Sequence, residues 1–242
     1  PQRTPDMASD ATHEDKESRP ASDPPADVQT GRKQNPGAST ALRHEQDALR
    51  QLMQLWGMPP ASTDPCDAAA EANVLCHRGH GGLAELRQLD RPAVLVMYDK
   101  ADKPFYAILT ALDGTRATLR AGDAVQHIGL VELTRHFRGE FVMLWRAPVG
   151  FSKPVTLGDA GPAVDWIQAQ LAKLSGGVPP ASDQPFGQKA MKQLRQFQQA
   201  SGLFVDGIAG PVTAMHLNRV AGVEEPHLRG DTAAPTRPVI GE

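Results

Sequence analysis

Large apolar residues are almost absent from residues 1–38, where Pro, Asp, Ser, Thr and Ala dominate and charges of both signs mix. Such a segment buries too little surface to offset its ordering entropy, and a disordered tether is predicted there. The pattern changes at Leu42. Leu42, Leu49, Leu52, Met53 and Trp56 recur at helical spacing until Gly57 and Pro59-Pro60 stop the run. A second helix is predicted over 67–74, entered through Asp64-Pro65 and ended near a Gly-rich turn, Gly79-His80-Gly81-Gly82. A short third helix is predicted over 83–89.

The period then switches to two. Ala93-Val94-Leu95-Val96-Met97-Tyr98 suits a buried strand, and further strands are predicted over 105–111, 116–120 and 141–146. Asp99 to Lys103, Asp113-Gly114 and Gly122-Asp123 supply turn signals between them, and 129–137 reads as a short helix before the last strand. Helices first and an antiparallel sheet afterwards point to an α+β domain. Pro148-Val149-Gly150-Phe151 marks the junction to the C-terminal part of the chain.

Helical spacing returns in residues 157–217. Val164, Ile167 and Leu171 form one apolar face, Met191, Leu194 and Phe197 a second, and Val212, Met215 and Leu217 a third. Between them run Leu157-Gly158-Asp159-x-Gly161-Pro162, Phe186-Gly187 and Gly202-Leu203-x-x-Asp206-Gly207-x-x-Gly210-Pro211-x-Thr213. Asp206-Gly207 and Gly210-Pro211 read as tight turns, and Asp159 and Thr213 as helix caps. This stretch resembles the three-helix peptidoglycan-binding module appended to many cell-wall enzymes and envelope proteins. One departure is Ala190, where that family usually has Thr or Ser. The resemblance implies a site for sugar hydroxyls, amides and stem-peptide carboxylates. Gln168, Arg195, Gln198 and Asp206 are the polar candidates for it, with Phe204 and Trp166 as apolar walls.

The 242 residues suit one large domain or two modest ones with tails. A net charge of -3 gives no basic patch for nucleic acid or an anionic membrane surface. No apolar run approaches the roughly 20 residues that cross a bilayer. The chain opens on Pro1 without a leader-like segment, so it is expected to be a piece of a longer protein whose targeting segment lies upstream.

Residues 42–147 show a second resemblance, to the papain-like C39 peptidase domain of bacteriocin-processing transporters. It rests on a Cys opening a helix, a Gly-rich turn, the Arg91-Pro92-Ala93-Val94-Leu95 strand and the ending Phe137-x-Gly139-x-Phe141-Val142-x-Leu144. Carried over, Cys66 takes the nucleophile's position. The base position falls at about Phe105, and the acid position near Ala121-Gly122, where only a slip brings in Asp123. No Gln stands in 58–65 for an oxyanion hole. A thiol without its base has a pKa of about 8.5 and is mostly protonated at neutral pH, so no enzyme activity is expected of this fragment. Cys76-His77-x-x-His80 matches no common zinc spacing, and the two histidines read as exposed turn residues, with no metal or cofactor expected. Cys66 and Cys76 are expected to pair. Disulfide Cα atoms lie ~4.4–6.8 Å apart, whereas ten helical residues span ~15 Å, so a chain reversal must precede Cys76.

The order of tether, inactive peptidase-like domain and wall-binding module resembles the periplasmic region of the general secretion pathway protein A family of type II secretion. The expected fold is a papain-like, C39-like helix-plus-antiparallel-sheet domain over 39–150, then an all-α three-helix domain over 151–222, flanked by disordered segments 1–38 and 223–242. The resemblance implies a periplasmic, non-catalytic factor that binds peptidoglycan, self-associates and works with a partner B protein so that the outer-membrane secretin assembles across the wall. It also implies an upstream ATPase and one membrane helix, neither present in this sequence. The competing readings are a cysteine peptidase or wall hydrolase targeted by its binding module, and a protein-docking domain using the wall motif as a spacer.

Overall fold

The computed structural model describes residues 42–228, so the predicted tether over 1–38 and the tail beyond residue 228 lie outside the described residues. The order of elements is α1 (Glu45–Leu55), α2 (Pro65–Ala70), β1 (Val74–His80), α3 (Leu83–Leu89), β2 (Ala93–Tyr98), β3 (Pro104–Leu112), β4 (Arg116–Ala121), β5 (Ala124–Gly129), α4 (Leu130–His136), β6 (Phe137–Arg146), α5 (Pro162–Leu174), α6 (Gln188–Ala200) and α7 (Pro211–Ala221). The strands form one six-stranded sheet in the order β1-β6-β2-β3-β4-β5, with every neighbouring pair antiparallel.

Strand alternation sorts the core into two layers. Val94, Ile108, Val142 and Leu144 point to one face, where they meet Ala48, Leu49, Leu52 and Met53 of α1 and Ala69 of α2. Leu95, Leu109, Met143 and Trp145 point to the other, where α3 and α4 contribute Leu86, Leu89 and Leu133. That second layer runs on into the three-helix part without a break. Trp145 meets Phe151 edge to face with ring centroids 5.2 Å apart, and Ile167, Leu171, Leu194, Phe197 and Met215 continue the same apolar cluster. Covered on both faces, β6 carries an uninterrupted buried run from Phe141 to Trp145.

The structure departs from the sequence reading at several points. Leu42 lies outside the first helix and bridges to β3, accepting the Tyr106 N–H at 2.8 Å. The second helix starts earlier and stops at Ala70, and the predicted Gly-rich turn is instead the end of an edge strand, β1, paired with β6 from Val74↔Arg146 to His80↔Glu140. His77 is therefore a half-buried strand residue rather than a turn residue, while His80 stays exposed at the strand's end. The stretch after the Gly122-Asp123 turn is a further strand, β5, and β6 begins at Phe137 rather than Phe141.

Residues 223–228, assigned from the sequence to the tail, are packed against the rest. Glu225 forms an ion pair with Arg91, and both side chains are buried. Arg91 also donates to the carbonyls of Leu89 and Met215, while Glu225 accepts from the Arg146 N–H at 2.6 Å and from Asn218 at 3.2 Å. Leu228 is buried, and its N–H reaches the Asp90 carbonyl at 3.4 Å. These contacts tie the sheet to α7 across the junction.

Candidate functional site

Asp64 fixes the start of α2. Its side chain accepts from the N–H groups of Cys66 at 2.8 Å and Asp67 at 3.4 Å, and Pro65 occupies the first helical turn. Cys66 thus opens a helix, as the peptidase resemblance requires. Its sulfur, however, is joined to Cys76 on β1 across a Cα–Cα distance of 5.5 Å, so no thiol stands there. Phe105 packs in the layer on the opposite face of the sheet, with its ring 6.3 Å from that of His136, whereas Cys66 packs with α1. A base at that position would therefore face away from Cys66, and the neighbouring Tyr106 is the residue on the Cys66 side. Gly122 donates its N–H to the Gln51 side chain at 3.0 Å beside a hollow of about 370 Å³ that Asp123 also lines. Neither Cys66 nor Phe105 is on that hollow's wall. The three carried-over positions are not brought together.

His77 has its pKa lowered, first by burial and then by the Arg91 guanidinium. Among the described residues, no group of three His, Cys, Asp or Glu side chains is placed to hold a metal ion.

In the helical part, the sequence-predicted residues divide between two places. Gln198, on α6, is buried and hydrogen-bonded to its own fold: its amide nitrogen donates to the Asp206 carboxylate at 2.8 Å, the Ile208 carbonyl at 3.1 Å and Thr213 Oγ1 at 3.3 Å, and its oxygen accepts the Gly207 N–H at 2.9 Å. Asp206 also accepts from the Ile208 N–H at 2.8 Å, and Arg195 donates to the Asp206 carbonyl at 3.3 Å. Gly207 must be glycine: its φ is +78°, and a Cβ there would sit 2.8 Å from Arg195 Nε. This bracket presents Phe204, 85% exposed, together with Val205 and Ile208 as an apolar tip. Thr213 is thus a buried partner of Gln198, and no side chain caps α7. Nor does Asp159 cap α5. Its carboxylate closes the 156–159 turn, taking bonds from Lys153 at 2.5 Å and from Thr156, which hold its pKa at about 2.

The second place is a groove of about 610 Å³ between α5, the 175–187 loop and α6. Gln168 holds one wall by donating to the Gln184 carbonyl at 3.0 Å, and Asp165 accepts the Asp183 N–H at 3.0 Å. The loop's far end is pinned by Phe186, which is fully buried and exchanges backbone bonds with Gly158 and Asp159. Ser175 accepts from Gln193 at 2.8 Å and joins the two helices across the groove. Lys189, Lys192, Gln193 and Gln196 line the α6 side, while Ala172, Ala190, Pro180 and Pro185 supply apolar lining. Of the residues named from the sequence, only Gln168 lies here, and Trp166 packs instead against the core. The lysines and glutamines of α6 were legible as a polar stripe at i, i+3, i+4 and i+7, complementary to Ala190, Leu194 and Phe197.

Comparison with known proteins agrees with this division. Residues 38–147 match the family described as "GspA, peptidase C39-like domain", and residues 160–217 match the "Putative peptidoglycan binding domain". General secretion pathway protein A of Aeromonas hydrophila is 29% identical over 192 residues, which is 79% of this chain and 35% of that protein. Putative general secretion pathway protein A of Escherichia coli K12 is 23% identical over 195 residues, covering 79% of this chain and 39% of that one. The chain therefore spans well under half the length of either relative. The fold resembles the crystal structure of a periplasmic domain of the EpsAB fusion protein of the Vibrio vulnificus type II secretion system, with a TM-score of 0.52 and 24% identity over 85% of this chain and 96% of that one. The C39-like α+β domain and the all-α peptidoglycan-binding domain expected from the sequence are both present, in that order.

Proposed function

We propose, from the premise that a C39-like domain of general secretion pathway protein A and a peptidoglycan-binding domain make up the described residues, that this chain is the non-catalytic, wall-binding periplasmic region of a type II secretion assembly factor. The observation that carries the reading is the pairing of the two domains in one chain, with a preformed groove in the second. The disulfide supports the non-catalytic part, since a sulfur held in a disulfide is not a nucleophile. It also supports an oxidising compartment such as the periplasm.

In this reading the chain binds peptidoglycan through the groove, with Arg195 of α6 and Phe204 of the loop that follows it extending the contact and Gln198 and Asp206 shaping that loop. The anchor in the inner membrane, the ATPase, the partner B protein and the secretin belong to the parent assembly, whose passage across the wall this region serves. Individual wall contacts are weak, and self-association on the polymer strengthens them through effective concentration.

Sedimentation with insoluble peptidoglycan sacculi tests the reading. The whole chain should pellet with the sacculi and leave their turbidity unchanged over hours. Protein remaining in the supernatant would reject wall binding, and clearing of the suspension would reject the non-catalytic assignment.

A further inference from the structure

We propose that the groove between α5, the 175–187 loop and α6 takes the stem peptide of peptidoglycan rather than its glycan strand. This rests on the wall-binding reading and goes further, because the lining selects between the two halves of the polymer. Lys189 and Lys192 are both exposed on its α6 wall, and neither forms an ion pair among the described residues. No Asp or Glu lines the groove, so the charge of its lining is positive, with Asp165 and Asp183 outside that lining at its α5 side.

The glycan strand is neutral once each lactyl group is amide-linked, whereas the stem peptide carries free carboxylates. Charge complementarity therefore favours the peptide. Gln193 and Gln196 line one side and Gln168 and Gln184 the other. Beyond the bonds from Gln168 to the Gln184 carbonyl and from Gln193 to Ser175, their primary amides keep both donors and acceptors, the pairing that a peptide backbone needs. Ala172, Ala190, Pro180 and Pro185 are small or flat, matching alanine methyls. No aromatic ring lines the groove to stack against a sugar face, and the exposed Phe204 is not on its wall.

The test is competition in the sacculus sedimentation assay, with two soluble probes. One is the free tetrapeptide L-Ala-D-Glu-diaminopimelate-D-Ala, and the other a neutral N-acetylglucosamine oligosaccharide, because a peptide-free muramic acid would carry a lactyl carboxylate that the amide-linked glycan lacks. The tetrapeptide should release the chain and the oligosaccharide should not. Lys189→Glu/Lys192→Glu should weaken retention about tenfold, with the wild-type interaction also fading as salt rises. Lys100→Glu/Lys103→Glu, with the same change in net charge on a sheet turn, should retain binding. Both groove lysines are exposed near the start of α6, where a negative charge suits the helix dipole, so loss of binding would not stem from unfolding, and an unchanged melting curve checks this. Release by the oligosaccharide but not the tetrapeptide overturns the stem-peptide assignment and leaves wall binding standing, as does full retention by Lys189→Glu/Lys192→Glu. Failure of the wild-type chain to pellet at all overturns wall binding, and this assignment with it.

Discussion

Gln198 shows how one buried side chain shapes the 203–210 loop from within the fold. It is 1% exposed, and its amide satisfies the buried Gly207 N–H and bonds Asp206, Ile208 and Thr213. Truncation to alanine leaves that N–H and Thr213 unpartnered in the core, which costs about 2–3 kcal/mol. In urea denaturation, Gln198→Ala should lower the midpoint by that equivalent with an unchanged slope, whereas Phe204→Ala, at an exposed tip, should stay within about 0.5 kcal/mol of wild type. A Gln198→Ala chain as stable as Phe204→Ala would show that the bracket is dispensable. Arg195, Gln198, Phe204 and Asp206 were named from the sequence with Gln168 and Trp166 for a single groove; the structure brings the first four together around the Gly-rich turn and places the other two elsewhere. Which of them point inward was not legible. An amide on a helix can equally serve solvent or a buried loop, and only the packing of 203–210 against α6 decides it.

Among the elements, β1 is held in place by two kinds of bond. It is an edge strand whose only strand neighbour among the described residues is β6, and the Cys66–Cys76 disulfide fastens it to the start of α2. Closing a loop with a sequence separation of 10 restricts the unfolded chain and contributes about 2–3 kcal/mol. Unreduced protein should give no reaction with a thiol reagent under denaturing conditions. Cys66→Ala/Cys76→Ala should melt several degrees lower, and two reactive thiols in the unreduced protein would rule the disulfide out. The same strand explains where sequence reading lost the fold. Helix α3 and strand β2 stand where the period places them, since each has a continuous apolar face to bury. Strands β1 and β5 are the two edges of the sheet, and polar residues interrupt both: Arg78, His80 and His127 are exposed, and even the half-buried His77, beside the Phe141 ring, breaks the apolar alternation. Edge strands need hydrogen bonds on one side only, so their sequences resemble turns more than core.

At the scale of the whole molecule, the sheet and the three-helix part share one apolar core and a buried polar junction. Arg91 sits between them, paired with Glu225 and bonded to the Met215 carbonyl, and beside it on α7 lies His216. His216 is 9% exposed, and its Nε2 has no hydrogen-bond partner. Burial, reinforced by the guanidinium groups of Arg91 and Arg219, pushes its pKa down from 6.5 to about 4. Between those two values the unfolded chain binds a proton that the folded chain does not. Stability is therefore complete above about pH 6.5 and falls as the pH drops toward 4, with a total loss on the order of 3 kcal/mol. His77, also lowered by burial and Arg91, adds to the loss with the same sign. Asp159, held at about 2, contributes its own dependence only at lower pH, so the two effects separate. Chemical denaturation at intervals from pH 7.5 to 4 should show wild-type stability declining across this window, and His216→Gln should flatten the decline while leaving the Arg91–Glu225 pair intact. An unchanged slope in His216→Gln would mean that the junction admits water to the imidazole, and that the sheet and the helices are less tightly joined than their shared core implies.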